Sequence, residues 1–439
     1  MITQVLFLVL LIAAISLFTY NVRIIRNNIL LGKKLKINDK RFLRLKKLFI
    51  VAIGQSKISG RIIPGILHII VYSGFIIVNI EIIEIIYDGI TGAHRSLNWL
   101  PLYSQIISAL EIIAFAVILT CAVFLIRRNV LKINRFRHSD IKGWPRIDAN
   151  VILITEIILM VAFLVMNTAD SALAISQLTE QKVVSNYLIS SYFASFWVNL
   201  NPETLHLISV TGWWFHIAGI FAFLNYLPYS KHFHILLSFP NVYYSKLKPL
   251  GYISNMESVT REVKIAMGLE KDNGQQQEEI PETFGAKDIK DLTWKSLMDA
   301  YSCTECGRCT SVCPANLSGK NLSPRKIVMD TRDRLEELGS GIRKKGIDFK
   351  DEKMLFNDYI TPEEIWACTT CNACTYECPV NIDPLAIIIE LRRYIFMEKS
   401  AAPSSLNSMS LNIENNGAPW QYPAADRFNW AGNLTISVS

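Results

Sequence analysis

The stretch CTECGRCTSVCP, from Cys303 to Pro314, places four cysteines at the spacing CxxCxxCxxxCP. A second stretch, CTTCNACTYECP from Cys368 to Pro379, repeats that spacing. Three thiolates at two-residue intervals, followed by a fourth before proline, form the ligand pattern of a [4Fe–4S] cluster. The repeat therefore predicts a mainly α-helical, ferredoxin-like domain that holds two [4Fe–4S] clusters.

The expected ligation is crossed, because the last cysteine of such a run binds the cluster of the other run. One cluster is assigned to Cys303, Cys306, Cys309 and Cys378. The other is assigned to Cys368, Cys371, Cys374 and Cys313. Zinc is the alternative, but four-cysteine zinc sites use CxxC pairs separated by a longer loop. Disulfides fit less well, because the intervals are too short for four unstrained bridges.

The apolar residues of this 439-residue chain concentrate before about residue 230, and 51% of all residues are hydrophobic. Five apolar runs approach the roughly 20 residues that cross a hydrocarbon core. They are Ile2–Tyr20, Ile62–Ile86, Ile106–Ile126, Val151–Ala169 and Leu205–Tyr226. We predict a five-helix transmembrane bundle over 1–235, a linker over 236–287, the cluster domain over 288–398 and a tail over 399–439.

The net charge of +7 is explained by basic residues between the apolar runs. Lys and Arg crowd the links after the first and third runs, and such links are cytoplasmic by the positive-inside rule. The first run is expected to be a retained span, because its positive charges follow the apolar core instead of preceding it. We predict a multi-pass protein of a bacterial or archaeal cytoplasmic membrane, with the cluster domain in the cytoplasm. The charge indicates anionic lipid, not nucleic acid.

The seven histidines include candidate haem ligands. At 1.5 Å per residue, His68 lies about 9 Å into the second helix, and His234 lies just beyond the cytoplasmic end of the fifth. These two are predicted to hold the iron of one haem b. His216 lies about 15 to 18 Å up the fifth helix and is a candidate ligand of a second haem. The second helix offers Val78 near that depth, which cannot bind iron.

Other polar residues of the membrane half each have two interpretations. Carboxylates at membrane depth indicate a proton path or a quinone pocket, or they reach the interface and pair with Lys or Arg. They are Glu81, Glu84, Glu111 and Glu156. His206 and His94 are considered as an outer haem pair, although most lone histidines are hydrogen-bonded packing residues. Cys121, alone in an apolar helix, is expected to pack.

The membrane half resembles the gamma subunit of respiratory nitrate reductase and the related heterodisulfide-reductase cytochromes. The segments GRIIPGILH, ending at His68, and HIAGIFAFLNYLPYSKHFH, from His216 to His234, carry this resemblance. It implies an inner haem b on His68 and His234. In that family a histidine ten residues after the counterpart of His68 helps to hold an outer haem. This sequence has Val78 there, which places the outer haem in doubt.

The half from Asp288 onward resembles iron–sulfur subunits of the heterodisulfide-reductase, anaerobic glycerol-3-phosphate dehydrogenase and glycolate oxidase group. Both cysteine runs and the tail segment NIENNGAPWQYPAADRFNWAG, Asn412 to Gly432, carry the resemblance. In that group a cysteine-rich domain with Cys-Cys-Gly motifs does the substrate chemistry. This sequence contains no Cys-Cys pair. The resemblance therefore implies a separate cytoplasmic, cysteine-rich catalytic subunit, which the aromatic tail is expected to dock.

Two functions remain open at the level of sequence. The first is a non-catalytic electron-transfer subunit that passes electrons between the catalytic partner and quinone through two [4Fe–4S] clusters and haem b. The second is a membrane-tethered, ferredoxin-like carrier or redox sensor without haem. No GxGxxG follows a strand-like run, so a nucleotide cofactor is not expected in this chain.

Overall fold

The computed structural model describes residues 1–131, 133–176, 187–271 and 283–432, and these form helices and connecting loops. The helices of the N-terminal half are α1 (Ile2–Ile29), α2 (Arg41–Leu48), α3 (Ile62–Thr91), α4 (Tyr103–Asn129), α5 (Trp144–Ser176), α6 (Ser190–Ala194), α7 (Pro202–Tyr226), α8 (His234–Tyr243) and α9 (Glu257–Ala266). A π-helical turn, Phe49–Ile53, continues α2.

The C-terminal half consists of shorter helices connected by cysteine-bearing loops. They are α10 (Trp294–Tyr301), α11 (Arg308–Ser311), α12 (Pro314–Leu317), α13 (Pro324–Lys345), α14 (Leu355–Asp358), α15 (Pro362–Ala367), α16 (Ala373–Glu377), α17 (Pro384–Met397) and α18 (Ser404–Asn416). α10 precedes the first cysteine run, and α17 follows the second.

Five of the described helices are long and apolar enough to cross a membrane, which confirms the five predicted spans. They are α1, α3, α4, α5 and α7, the last extended by a 3-10 turn to Tyr229. Large apolar side chains on their outer faces are exposed, as at Ile83 and Leu207, and a hydrocarbon solvent would cover them. The helices are longer than the apolar runs, because helical hydrogen bonding continues into the polar interface.

Glycines bring the membrane helices close together at the centre of the bundle. A Cβ atom at Gly74 of α3 would lie 2.6 Å from Val117 of α4. One at Gly219 of α7 would lie 2.6 Å from Leu159 of α5. Without a hydrophobic driving force between helices in lipid, close backbone approach supplies the dispersion attraction that holds them.

The first span also anchors the cysteine-bearing half. At the end of α1, Asn28 donates a hydrogen bond to the Tyr301 hydroxyl over 2.8 Å. The backbone N–H of Lys33 donates to Leu292 O over 2.8 Å, and Trp294 donates back to Lys33 O over 3.1 Å. The N-terminal helix is therefore part of the interface between the two halves as well as a span.

The two basic links contact the same half. Arg308 donates to the backbone oxygen of Lys57, in the link after α1, over 2.9 Å. Asp140, in the link after α4, forms a buried ion pair with Arg325 of α13. Thus the cysteine-bearing half lies against the end of the bundle that carries the basic links.

The predicted linker over 236–287 includes most of α8 and all of α9, and its part over 272–282 lies outside the described residues. The domain boundaries therefore stay a prediction. The predicted tail contains α18 and a 3-10 segment, Ala424–Ala431. Its large aromatic side chains are all exposed, namely Trp420, Tyr422, Phe428 and Trp430.

Candidate electron-transfer site

The first cysteine run forms a loop that turns back on itself between α10 and α12. Glu305 and Gly307 take positive φ angles of 52° and 71°. These turns direct successive cysteines toward a common interior. Cys303 and Cys313 are buried, while the two cysteines between them are partly exposed.

A small cavity in this loop brings cysteines of both runs together. Its lining includes Cys303, Cys306, Cys309 and Cys378. Val328 and Ile382 contribute apolar side chains to the lining, which also includes Glu305 and Arg325. The structure therefore gathers three cysteines of the first run and the last of the second, which is the first of the two ligand sets that the spacing predicts.

The second predicted set is also gathered. Burial raises the pKa of the Cys368 thiol, and the neighbouring thiols of Cys313 and Cys371 raise it further. Burial likewise raises the pKa of Cys374 to about 12, with Cys368 among its electrostatic neighbours. Cys313 belongs to the first run but lies close enough to Cys368 of the second run to affect its pKa.

The buried thiols need a cation to become thiolates. Burial raises the pKa of Cys303 and of Cys378 to about 12. Iron coordination supplies the positive charge that deprotonates such groups. Backbone N–H groups also point at two sulfurs, with Ile382 N 3.3 Å from the Sγ of Cys378 and Thr370 N 3.4 Å from that of Cys368. Such hydrogen bonds tune the reduction potential of a cluster.

The sulfur arrangement bears on which metal would fit. Among the described residues, no three His, Cys, Asp or Glu side chains are placed to hold a single metal ion. Zinc needs four sulfurs about 2.3 Å from one centre. A [4Fe–4S] cube presents a different iron corner to each thiolate and so spreads the sulfurs apart. The spacing of the two cysteine runs is the ligand pattern of such clusters.

Three histidines gather where the bundle meets the cysteine-bearing half. The rings of His232 and His234 lie 5.7 Å apart between centroids. Burial, with His234 and His68 nearby, lowers the pKa of His232 to about 3. His234 donates from Nδ1 to the Lys231 backbone oxygen over 2.9 Å, which leaves its Nε2 as an acceptor. Nδ1 of His68 is buried without a hydrogen-bond partner.

These histidines suit a haem iron. A ligating imidazole usually donates its other N–H to a carbonyl or carboxylate, which fixes its orientation. His234 makes such a bond. A buried ring nitrogen without a partner, as on His68, is costly unless something binds there. The structure brings the predicted pair into one cluster with His232.

A buried ion-pair triad joins the histidine cluster to the first cysteine run. Lys231 lies 2.5 Å from one carboxylate oxygen of Glu305, and Arg332 lies 2.9 Å from the other. Burial alone would raise the pKa of Glu305, but Lys231 and Arg332 hold it below its ordinary value. Because the backbone oxygen of Lys231 also accepts the hydrogen bond from His234, two contacts connect a candidate haem ligand to the loop between Cys303 and Cys306.

His216 lies elsewhere, deep in the bundle. It is 1% exposed, and its Nδ1 donates to the Leu159 backbone oxygen over 2.9 Å. The two histidines of the predicted outer pair are placed differently. His94 contacts Asp170 over 3.3 Å and is more than half exposed, and His206 is exposed near the start of α7.

Three of the four membrane carboxylates belong to a polar network near the outer end of the bundle. Glu84 accepts from the Tyr103 hydroxyl over 2.9 Å. Glu111 accepts from the Asn167 amide over 3.0 Å. Glu81 lies 3.5 Å from Arg95 through one oxygen, and its other oxygen is buried without a partner. Pairing with protein groups thus accounts for Glu84 and Glu111.

Sequence reasoning missed the residues that connect the parts of the site. In the sequence, Lys231 stands out only as part of the segment from His216 to His234 that resembles nitrate reductase gamma subunits. The sequence does not predict the contacts of Glu305, Arg332, Lys57 and Asn28. The only one of these residues that its position in the sequence could have marked is Glu305, a single acidic residue between Cys303 and Cys306. Lys57 donates to the backbone oxygens of Tyr376 and Cys378 over 2.9 and 3.1 Å, contacts that only the tertiary structure reveals.

Comparison with known proteins supports the iron–sulfur assignment. Two family models, each described as a 4Fe–4S dicluster domain, match residues 302–382 and 266–318. No solved structure matches the chain.

Three relatives extend the comparison. The chain is 28% identical to the probable iron–sulfur-binding oxidoreductase FadF of Bacillus subtilis, over 97% of this chain and 60% of that one. It is 25% identical to the EtfAB:quinone oxidoreductase of Syntrophomonas wolfei, over 90% of this chain and 54% of that one. It is 30% identical to a probable membrane-anchored ferredoxin of Chromohalobacter salexigens, over 35% of this chain and 25% of that one.

The chain therefore spans little more than half the length of the relatives that cover it most completely. Shorter matches reach the CoB–CoM heterodisulfide reductases of methanogens, with 32% identity to one of their subunits in Methanosarcina acetivorans over 24% of this chain and 52% of that one. Together with the five apolar helices, these matches show a chain with 4Fe–4S dicluster domains and helices long enough to cross a membrane, which resembles heterodisulfide-reductase subunits and a membrane-anchored ferredoxin.

Proposed function

We propose that this chain conducts electrons between a soluble redox partner and quinone in the membrane. Two [4Fe–4S] clusters and one haem b carry the electrons. The observation that supports this most directly is the position of the Lys231–Glu305 contact, which lies between the histidine cluster and the first group of cysteines.

The cysteines are proposed to bind the clusters in the crossed arrangement. The first cluster takes Cys303, Cys306, Cys309 and Cys378, and the second takes Cys368, Cys371, Cys374 and Cys313. Each run supplies a ligand to the other cluster, so the two clusters are held close together. The clusters supply single-electron storage, and the protein fixes their spacing and shields them with apolar walls.

The haem iron is proposed to be held by His68 and His234 at the cytoplasmic end of the bundle. The hydrogen bond from His234 to Lys231 O orients that imidazole and keeps Nε2 available. The inner-haem pattern of nitrate reductase gamma subunits, seen in the sequence, supports the same pair. A second haem on His216 would need a partner at Val78, which has no metal-binding atom, so the proposal contains one haem.

The cluster-bearing half is proposed to face the cytoplasm. It contacts the links after α1 and α4 through Lys57 and Asp140. Both links are rich in Lys and Arg, and such links stay on the cytoplasmic side.

The soluble partner is proposed to be a cytoplasmic, cysteine-rich redox module of the heterodisulfide-reductase type, which lies outside this sequence. The relative from S. wolfei is named for activity between EtfAB and quinone, which makes EtfAB a second candidate partner. The exposed aromatic residues of the tail, such as Trp420 and Trp430, are the proposed docking surface.

A haem-free, membrane-tethered electron carrier is the second candidate function. The match to a probable membrane-anchored ferredoxin favours it. Haem content separates the two functions, because only the first requires b-type absorption.

The test is spectroscopic, on the full chain purified without oxygen. We expect about eight irons per chain for two cubes, a paramagnetic signal after dithionite, and b-type absorption bands that bleach when a quinone analogue is added. His68→Ala should remove the haem bands and leave iron content unchanged, whereas the control His138→Ala should keep both. Zinc in place of iron would overturn the proposal, and intact clusters without haem would favour the tethered carrier.

A further inference from the structure

A second pocket lies deeper in the bundle than the histidine cluster, among α3, α4, α5 and α7. Its lining consists of apolar residues, among them Gly74, Val78 and Leu159, together with Asn79, Glu156 and His216. Most of these side chains are apolar. Of the three polar ones, Asn79 already donates to the Phe75 backbone oxygen. His216 and Glu156 are the two titratable groups of this lining, so they can exchange protons with a ligand as well as orient it.

His216 presents a single defined hydrogen-bonding atom to this pocket. A carbonyl oxygen only accepts, so the bond to Leu159 O places the proton of the neutral ring on Nδ1. Nε2 then carries a lone pair and accepts a hydrogen bond from a hydroxyl group. Because the ring is held by a main-chain atom of α5, its direction is fixed before any ligand enters.

Glu156 supplies the second polar group. It is 8% exposed, and one of its oxygens lies 4.0 Å from Nε2 of His232. That His232 nitrogen is itself buried without a hydrogen-bond partner. The carboxyl group thus lies between the pocket and the histidine cluster, two members of which are proposed to bind the haem iron.

A second haem is a poor fit for this space. Val78 lies in the wall where the opposing iron ligand would be needed, and it is itself buried. The close approach of α3 and α4 at Gly74 narrows the same region. The space suits a flat, neutral, mostly apolar ligand with oxygen atoms that meet two polar groups.

We infer that this pocket binds the headgroup of a quinol, whose two hydroxyl groups donate hydrogen bonds to His216 and Glu156. The inference rests on the proposed function, since it adds the site at which quinone reacts. In the direction of quinol oxidation, both O–H bonds break and a quinone forms. One proton passes to Nε2 of His216 and the other to the Glu156 carboxylate. Two electrons leave one at a time toward the iron–sulfur clusters, and quinone reduction is the reverse.

The experiment measures binding and turnover separately on the full chain in lipid nanodiscs. Binding is followed by fluorescence quenching of 2-heptyl-4-hydroxyquinoline N-oxide, a quinone-site probe. Turnover is followed by oxidation of menadiol, with the clusters and haem of the same protein as the electron acceptors, whose reduction is recorded in their absorption spectrum. The variants are His216→Leu, Glu156→Gln and the conservative His216→Gln. The control is His206→Leu, at an exposed histidine of the same helix. Haem and iron content are measured for each protein.

We expect His216→Leu to weaken probe binding about tenfold or more, which corresponds to about 1.4 kcal/mol, with haem and iron content unchanged. His216→Gln should recover part of the affinity, because its side-chain oxygen also accepts a hydrogen bond. Glu156→Gln should slow menadiol oxidation and shift its pH profile, and His206→Leu should match the wild type.

Two results would overturn the inference while the proposed function stands. One is loss of haem from His216→Leu, which would make His216 an iron ligand. The other is normal probe binding and turnover in both His216→Leu and Glu156→Gln. A wild-type protein with haem and clusters that neither binds the probe nor oxidises menadiol would overturn the proposed function itself.

Discussion

At the scale of single residues, the contact between Lys231 and Glu305 matters most for electron transfer. It places a carboxylate beside cysteines proposed to bind the first cluster and pairs that carboxylate with Arg332. Buried ion pairs of this kind add little net stability, but removing one partner is costly because the other charge stays buried. Their position suggests a role in setting the redox properties of the cluster.

Glu305→Gln should therefore raise the midpoint potential of the first cluster. It removes a negative charge beside the site that accepts an electron, so reduction becomes easier. It should also lower the thermal unfolding temperature, because Lys231 and Arg332 each lose their shortest ion pair. A redox titration followed by electron paramagnetic resonance measures the first effect. Asp333→Asn, at a more exposed carboxylate that also contacts Arg332, is the control and should change the potential less.

Asp140, on the link after α4, forms a second buried ion pair between the bundle and the cluster-bearing half. Its ion pair with Arg325 is almost fully buried, and Ser323 donates to it over 2.6 Å. Burial alone would raise the pKa of Asp140, but Arg325 and Ser323 hold it below its ordinary value. The ionised carboxylate is thus the form that holds the cluster-bearing half against the bundle.

Asp140→Asn should destabilise this interface by about 3 to 5 kcal/mol near neutral pH, as expected when a buried ion pair loses one partner. Because the folded pKa lies below the unfolded one, the contribution of Asp140 is complete above about pH 4 and is lost as the pH falls through the folded pKa. The difference in thermal stability between wild type and variant should therefore be constant from about pH 8 to about pH 5 and shrink below about pH 4. A difference in thermal stability that instead grows below about pH 4 would contradict the conclusion that the ionised form of Asp140 stabilises the interface.

At the scale of elements, the C-terminal tail is the clearest unpartnered surface among the described residues. α18 contains no buried residue, and the aromatic side chains after it are exposed. Tail contacts with the cluster-bearing half are concentrated near its start, where Ala402 is buried. The tail is thus positioned to bind a partner without supporting the cysteine sites.

Deleting residues 404–439 should abolish binding of the soluble partner and leave iron content and the cluster signals unchanged. Co-purification with the partner protein and metal analysis of the same sample measure both. A narrower variant, Trp430→Ala with Phe428→Ala, keeps α18. It should also weaken binding of the partner, which would assign the effect to the aromatic side chains. Loss of the clusters on deletion would show that the tail supports the fold instead.

At the scale of the whole molecule, the two cysteine runs form one unit because each supplies a cysteine to the group of the other. Cys378 and Cys303 are far apart in the sequence but line one cavity. α1 and both basic links contact this unit, so its position relative to the bundle is set by three separate segments of the chain.

Cys378→Ser should therefore alter the cluster of the first run, although it lies in the second run. Cys371→Ser should alter the other cluster. Paramagnetic spectra of the two variants should differ in which signal is lost, and iron analysis should show partial loss in each. If both variants affected the same signal, the ligation would not be crossed in the proposed way.

The amino-acid sequence by itself determined the five spans and the helices that flank the cysteine runs, because these depend on local hydrophobicity and local spacing. The comparisons bear out the iron–sulfur assignment that the spacing predicted, while the individual cysteine ligands and the haem histidines stay predictions. The crossed grouping of cysteines was also foreseeable, since the position of the fourth cysteine before proline has a known consequence.

Only the tertiary structure decided which distant residues meet. Lys231 and Glu305 are 74 positions apart, and other contacts that join the bundle to the cluster-bearing half, such as that of Asn28 with Tyr301, are farther apart in the sequence. The polar surroundings of His216 and Glu156 likewise depend on the packing of four helices. No local pattern encodes such contacts, because they arise from how helix faces pack after each helix has formed.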